Sequence, residues 1–356
     1  MINLQGDNLL FLISQPRAGS TLTQRILGNH PDIYTVSEPW LMLHPLYALR
    51  TEGYQAEYWQ SLAQMALNDF LQNLPDREEV YFEGLRQMYT YLYSKALASS
   101  GKRYFLDKTP RYYLIIPELY RTFPNAKFII LLRNPLAVLY SSIGCGTKED
   151  WISLDGIKND LIQAPTLLLE GIKLLGHRCL VLHYEQLLSH SESEMRKICD
   201  WLDIGFLPAM IEYRLDKSTQ WRFGDQKTIY KTSKPDVNMI EKWVRGMEDT
   251  QSWRLANDYL QWLGQDRINQ MGYSYEELRQ ILEDSRPPRF KLWTTLSLES
   301  LIKKREERQK WEYEYQSIRL IRSFQRRGVG GTIVRLTQKV RGILSNSQQV
   351  TQVGEN

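Results

Sequence analysis

Residues 9–31 read LLFLISQPRAGSTLTQRILGNHP, and the character of the chain changes twice within them. Residues 9–13 form a continuous apolar run, the pattern of a strand buried on both faces. The run passes into the polar loop PRAGST at 16–21, and Leu22, Ile26 and Leu27 then recur at helical spacing until Asn29, His30 and Pro31 close the helix. Ser20 and Thr21 supply N-cap chemistry at its start. The stretch therefore predicts a strand, a loop and a helix.

The same alternation returns downstream. RYFL at 103–106 reads as a strand, 112–122 as a helix stopped by Pro124, KFIILL at 127–132 as a second buried strand, and Pro135 opens another helix. CLVLH at 179–183 adds a strand between helical patterns at 155–176 and 191–201. Strands alternating with helices predict an α/β fold with a parallel sheet covered on both faces. Ligands of such sheets sit beyond the carboxyl ends of the strands. From Tyr47 to Ser100 the pattern is helical, with Tyr58, Leu62, Met65 and Leu71 at periodic apolar positions, and it is expected to supply core and a wall of the substrate cleft.

The loop at 16–21 places an arginine, a glycine and two hydroxyls at a helix N-terminus. Backbone N–H groups and the helix dipole favour an anion there, and Arg17 adds a bidentate contact, so the loop suits a phosphate or sulfonate. It lacks the lysine of a Walker A loop, since Gly19 occupies that position, which weakens a phosphotransferase reading that uses a nucleoside triphosphate. The plain alternative is a polar connection between strand and helix. A second cluster is KFIILLRNPLAVLYSS at 127–142, where a strand delivers Arg133 to the sheet edge and Ser141 follows eight residues later on the next helix. Both side chains can grip one phosphate, or they can serve as a helix-capping arginine and a solvent-facing serine.

Composition bounds the rest. Of 356 residues 42% are apolar, with 10 Trp, 21 Tyr and 10 Phe, enough for a sizeable core and incompatible with a disordered chain. The three cysteines, Cys145, Cys179 and Cys199, match neither a disulfide set nor a metal clip and favour a reducing compartment. The first residues lack a basic leader, and no run approaches the ~18 apolar residues of a spanning helix, so a cytoplasmic location is expected. The five histidines show no metal-ligand spacing, and metal catalysis is not expected.

Charge divides the chain: residues 1–284 carry 30 basic and 35 acidic side chains, and residues 285–356 carry 15 and 6. With Pro287 and Pro288 as the break, the expected domains are 1–284 and a helical basic C-terminal extension at 285–356. In that extension Trp311, Tyr315, Ile318, Ile321 and Phe324 form one apolar stripe, and Ile333, Leu336, Val340 and Ile343 another. Docking on the body, on a second subunit in a homo-oligomer, or peripherally on an anionic membrane all fit this pattern. No nucleic-acid-binding module accompanies the charge.

Taken together, PRAGST, the Arg133–Ser141 pair, LDKTP at 106–110, HYEQLL at 183–188 and SKPDVNMIEKW at 233–243 resemble the sulfotransferases that use 3′-phosphoadenosine 5′-phosphosulfate (PAPS). The similarity spans most of residues 8–245 and is closest to the tyrosylprotein and carbohydrate branch. It implies a P-loop-like α/β fold and PAPS as co-substrate. It further implies that Arg17, Ala18, Gly19, Ser20 and Thr21 hold the 5′-phosphosulfate, that Arg133 and Ser141 hold the 3′-phosphate, and that Tyr184 orients the nucleotide. Lys234 resembles the lysine of a late cofactor loop, although the spacing upstream of it differs. Ala18 and Ser20 depart from the usual P-R-S-G-T-T, but a cradle of backbone amides depends on neither side chain.

Glu38, in YTVSEPW, matches the catalytic glutamate of the tyrosylprotein branch and is expected to be the general base, with His44 as the other base within reach in sequence. Arg17 and Lys108 would stabilise charge on the departing phosphate oxygen. Lys108 has two plainer readings: a pair with Asp107, or a cap on the following helix. The resemblance implies in-line transfer of sulfonate to a hydroxyl of a small molecule, glycan or tyrosine-containing peptide. A non-catalytic module that binds nucleotide or a membrane is the reading from another class.

Overall fold

The computed structural model describes residues 2–50, 57–143, 151–213, 233–248 and 250–287. The chain runs β1 (Leu9–Ser14), α1 (Ser20–Gly28), β2 (Ile33–Ser37), α2 (Leu43–Tyr47), α3 (Gln60–Gln72), α4 (Glu78–Ala98) and β3 (Tyr104–Lys108). A 3-10 turn (Pro110–Ile115) leads to α5 (Ile116–Thr122), β4 (Lys127–Leu132), α6 (Pro135–Ile143), α7 (Trp151–Leu175) and β5 (Cys179–His183). Then come α8 (Tyr184–Ser189), α9 (Ser191–Leu202), α10 (Lys242–Arg245), α11 (Thr250–Gln270) and α12 (Tyr275–Asp284). The expected C-terminal extension beyond its first three residues, and Cys145, lie outside the described residues.

The five strands form one sheet in the order β2-β3-β1-β4-β5, every pairing parallel. The continuous apolar runs at β1 and β4 follow from this order. Both strands are internal, and all six residues of β1 are buried. Leu9, Phe11 and Ile13 face one layer of the core with Phe105, Phe128 and Ile130, while Leu10 and Leu12 face the other with Leu106, Ile129 and Leu131. Phe11 stacks on Phe128 with ring centroids 5.3 Å apart, so truncating either ring to Ala costs about 3–5 kcal/mol. Chain order reverses direction at β1, which places the switch-point crevice between the ends of β1 and β4.

Three expectations change. Residues 112–122 are not one helix: Pro117, which cannot donate to the preceding turn, sits in the first turn of α5, and a 3-10 turn comes before it. The edge strand β2, IYTVS, was not expected; it is only half-buried and lacks the long apolar run of its neighbours. The hairpin of α3 and α4 is the largest correction. The second helix supplies core through Phe82, Leu85, Tyr89, Tyr93 and Leu97, but Leu71 is the only buried residue of α3. The stripe that α3 turns inward is Gln60, Gln64, Leu67 and Leu71, and Tyr58, Leu62 and Met65 face out. Gln60 donates to the carbonyls of Tyr47 and Arg50, which holds this orientation.

Candidate active site

The turn after β1 brings the phosphate-type loop to the sheet edge. Gly19 is the N-cap of α1, with φ at 102°, and it lies so close under Tyr184 that a Cβ would run into that ring. Ser20 and Thr21 are therefore the first helical residues rather than caps. The helix start has no side-chain cap and no acidic residue in its first turn. Its leading N–H groups lack partners within the helix, which is the arrangement that attracts an anion.

The two arginine-bearing turns meet. Arg17 Nε donates to Ser141 Oγ at 3.3 Å, and Arg133 Nη1 donates to the Arg17 carbonyl at 3.0 Å. The Arg133 guanidinium lies 4.2 Å from the centroid of the Tyr184 ring. Its Nε is buried and has no hydrogen-bond partner among the described residues. Glu185, next to Tyr184, fixes the start of the Arg133 turn by accepting from the Asn134 N–H at 3.0 Å, and Tyr273 donates to its other oxygen at 2.7 Å. Arg17, Gly19, Arg133, Ser141 and Tyr184 thus form one group at the switch point. Ala18 is buried beneath it.

A second group forms at the ends of β2 and β3. The Glu38 N–H donates to the Lys108 carbonyl at 2.8 Å, and Lys108 Nζ donates to Glu38 Oε1 at 2.9 Å. The Lys108 side chain is fully buried. Burial pushes its ammonium below the usual lysine range, with Glu38 pulling it back. Lys108 thus pairs with Glu38 rather than with Asp107. The neighbouring Asp107 instead accepts hydrogen bonds from Tyr93 at 2.7 Å, Thr109 at 2.7 Å and Tyr112 at 3.1 Å. Burial raises the Asp107 carboxyl to about 6, against the pull of these hydroxyls and Lys108.

Arg111 and Asp160, which sequence reasoning missed, extend this second group together with Trp40. Arg111 makes a two-pronged contact with Asp160 at 3.0 and 2.6 Å, and its guanidinium lies 5.4 Å from the centroid of the Trp40 ring. Tyr113 donates to Asp160 at 2.8 Å, and Gln15, just after β1, donates to the Asp160 carbonyl at 3.1 Å. A cation after the DKTP turn was visible in the sequence. Its carboxylate lies on α7, 49 residues on, and had no local signal.

Arg17, Glu38 and Trp40 are three of five non-glycine residues with positive φ among the described residues, at 73°, 52° and 55°. Such backbone costs about 1–2 kcal/mol per residue, and here it clusters in the two site loops. His44 is exposed on α2. His183 is a sheet-edge histidine whose Nε2 lies 2.9 Å from the Met271 carbonyl oxygen. Lys234 pairs with Glu212, and its carbonyl accepts from Tyr213 at 2.9 Å.

A five-stranded parallel sheet flanked by helices, with two arginine-bearing turns meeting at its switch point, defines a P-loop-like α/β fold. Residues 10–208 match the sulfotransferase family pattern, and the chain belongs to that family. It is 30% identical over 293 residues to nodulation protein NoeE of Sinorhizobium fredii, covering 74% of this chain and 66% of that protein, just under two thirds of its length. It is 24% identical over 239 residues to a putative protein-tyrosine sulfotransferase of Caenorhabditis briggsae, covering 65% and 78% respectively. Among solved structures, the sulfotransferase domain of the Synechococcus PCC 7002 olefin synthase is 24% identical with a TM-score of 0.44, covering 66% of this chain and 86% of that one. No helix among the described residues is long and apolar enough to cross a membrane.

Proposed function

We propose that this chain is a PAPS-dependent sulfotransferase that moves sulfonate to an acceptor hydroxyl by in-line displacement, with Glu38 as general base. The observation that carries the reading is the meeting of Arg17, Arg133 and Ser141 at the switch point, one sheet edge away from the Glu38–Lys108 pair. The residues present fit a nucleotide with an anion at each end. The uncapped start of α1, with Gly19, Ser20 and Thr21, together with Arg17, suits the 5′-phosphosulfate. Arg133, whose buried Nε is without a partner among the described residues, suits the 3′-phosphate with Ser141. Tyr184 contributes a ring face already packed on Arg133. Lys234 joins them only by leaving Glu212.

In the transfer the acceptor oxygen bonds to sulfur while the bond from sulfur to the phosphate oxygen breaks, and the electron pair leaves on the nucleotide. The acceptor proton passes to Glu38. Lys108 engages Oε1, which leaves Oε2 to take that proton. Arg17 and Lys108 supply fixed positive charge for the departing oxygen. Relatives named as protein-tyrosine sulfotransferases support an acceptor class of phenols and other hydroxyls. The spacing of the three cysteines supports a reducing, cytoplasmic setting.

The test incubates the full chain with sulfonate-labelled PAPS and a panel of hydroxylated metabolites, glycans and tyrosine peptides. Label is expected on one acceptor class, and 3′-phosphoadenosine 5′-phosphate is expected to raise the melting temperature. Absence of both transfer and nucleotide binding would end the proposal.

A further inference from the structure

The start of α8 brings two groups into the corner that holds Arg133. The Tyr184 ring lies 4.2 Å from the guanidinium, and the next residue, Glu185, is a carboxylate. An arginine and a carboxylate sharing a part-buried corner ordinarily pair, and a two-pronged pair would commit the charge and donors of Arg133 to Glu185. Among the described residues they do not pair. Arg133 Nη1 donates to the Arg17 carbonyl at 3.0 Å, and its buried Nε has no partner. Both Glu185 oxygens are engaged elsewhere: Oε1 accepts from the Asn134 N–H at 3.0 Å and Oε2 from the Tyr273 hydroxyl at 2.7 Å.

Tyr273 comes from far along the chain. It lies in the turn between α11 and α12, outside residues 10–208 that carry the family pattern. Three consecutive residues of that turn rest on the end of β5. The Met271 carbonyl oxygen lies 2.9 Å from His183 Nε2, a Cβ on Gly272 would come within 2.6 Å of the same nitrogen, and the Tyr273 and His183 rings meet edge-on with centroids 5.6 Å apart. The hydroxyl is thereby aimed at Glu185. Burial first, and then the Glu185 charge, hold the phenol well above the usual tyrosine range against a weaker pull from Arg133, so it stays protonated and donates. Without that donor, Oε2 is a part-buried carboxylate oxygen whose nearby cation is Arg133, and turning to it satisfies both groups. The arginine is then neutralised before any phosphate arrives.

On the reading that Arg133 takes the 3′-phosphate, we infer that Tyr273 is a positioning residue for that phosphate: it holds the Glu185 carboxylate on the Asn134 amide and so keeps it off Arg133. Calorimetry on the full chain, with 3′-phosphoadenosine 5′-phosphate and with adenosine 5′-phosphate, tests this. Tyr273→Phe should raise the Kd of the doubly phosphorylated nucleotide about 10-fold, the size of a charged hydrogen bond, and leave that of adenosine 5′-phosphate within about twofold. Adding Glu185→Gln, which keeps an oxygen for Asn134 but carries no charge to offer Arg133, should restore the affinity of Tyr273→Phe to within about threefold of wild type. A residue that only packs the turn would show no such rescue. Unchanged affinity in Tyr273→Phe, equal losses for the two nucleotides, or a loss that Glu185→Gln leaves in place each overturn the role of Tyr273 while the nucleotide site stands. A wild-type chain that binds neither nucleotide, or both alike, overturns the assignment of Arg133 to the 3′-phosphate and the role of Tyr273 with it.

Discussion

Two corners of one sheet edge use positive charge in opposite ways. Beyond β2 and β3 the cations are matched in place, Lys108 to Glu38 and Arg111 to Asp160. Beyond β1 and β4 Arg133 meets a carbonyl and an aromatic face, and Arg17 reaches a serine hydroxyl. A cation neutralised by a buried carboxylate fixes geometry, and removing one partner commonly costs about 3–5 kcal/mol. Arg133, held by a carbonyl and a ring face, keeps its field for an arriving anion. Under the proposed function, the difference separates a corner that positions chemistry from one that binds nucleotide.

Glu38→Gln is the strongest way to break this division. Turnover should fall about 10²–10⁴-fold, with nucleotide affinity by calorimetry within about twofold; a parallel loss of affinity would merge the two corners. Next is pH. An Asp107 carboxyl moved from 3.8 to about 6 is favourable below the unfolded value and is lost as pH rises through the folded one. Wild type should therefore lose on the order of 3 kcal/mol between pH 4 and 7 relative to Asp107→Asn, read from urea midpoints at the two pH values.

At the other corner, Arg133→Ala should raise the Kd for 3′-phosphoadenosine 5′-phosphate about 10–100-fold, the size of a charged hydrogen bond, with little change in melting temperature. The smallest expected effect is Gly19→Ala. Its φ of 102° and the Tyr184 ring both oppose a Cβ, so affinity should weaken about 10-fold. Unchanged affinity would show that the ring moves aside freely.

Much of the binding corner was legible because its signals are local. Buried parallel strands are apolar without interruption, so β4 falls where its run does, and Arg133 follows directly after it. The positioning corner was half legible. Glu38 and Lys108 were visible as residues through the resemblance, but their contact was not, because it requires β2 to lie beside β3. The N-cap misreading has a similar origin: two hydroxyls suggested caps, yet the left-handed turn at Gly19 places both inside the helix.

The order of residues along the chain was enough to set the strand–loop–helix alternation, the anion loop and the two arginines, because periodicity and helix-terminus chemistry act over a few neighbours. Tertiary structure alone decided which carboxylate meets which cation, that Asp160 anchors Arg111, and that α3 faces outward. Those outcomes depend on strand order and layer packing, which bring together groups from 49 to 124 residues apart that carry no mutual signal in the chain.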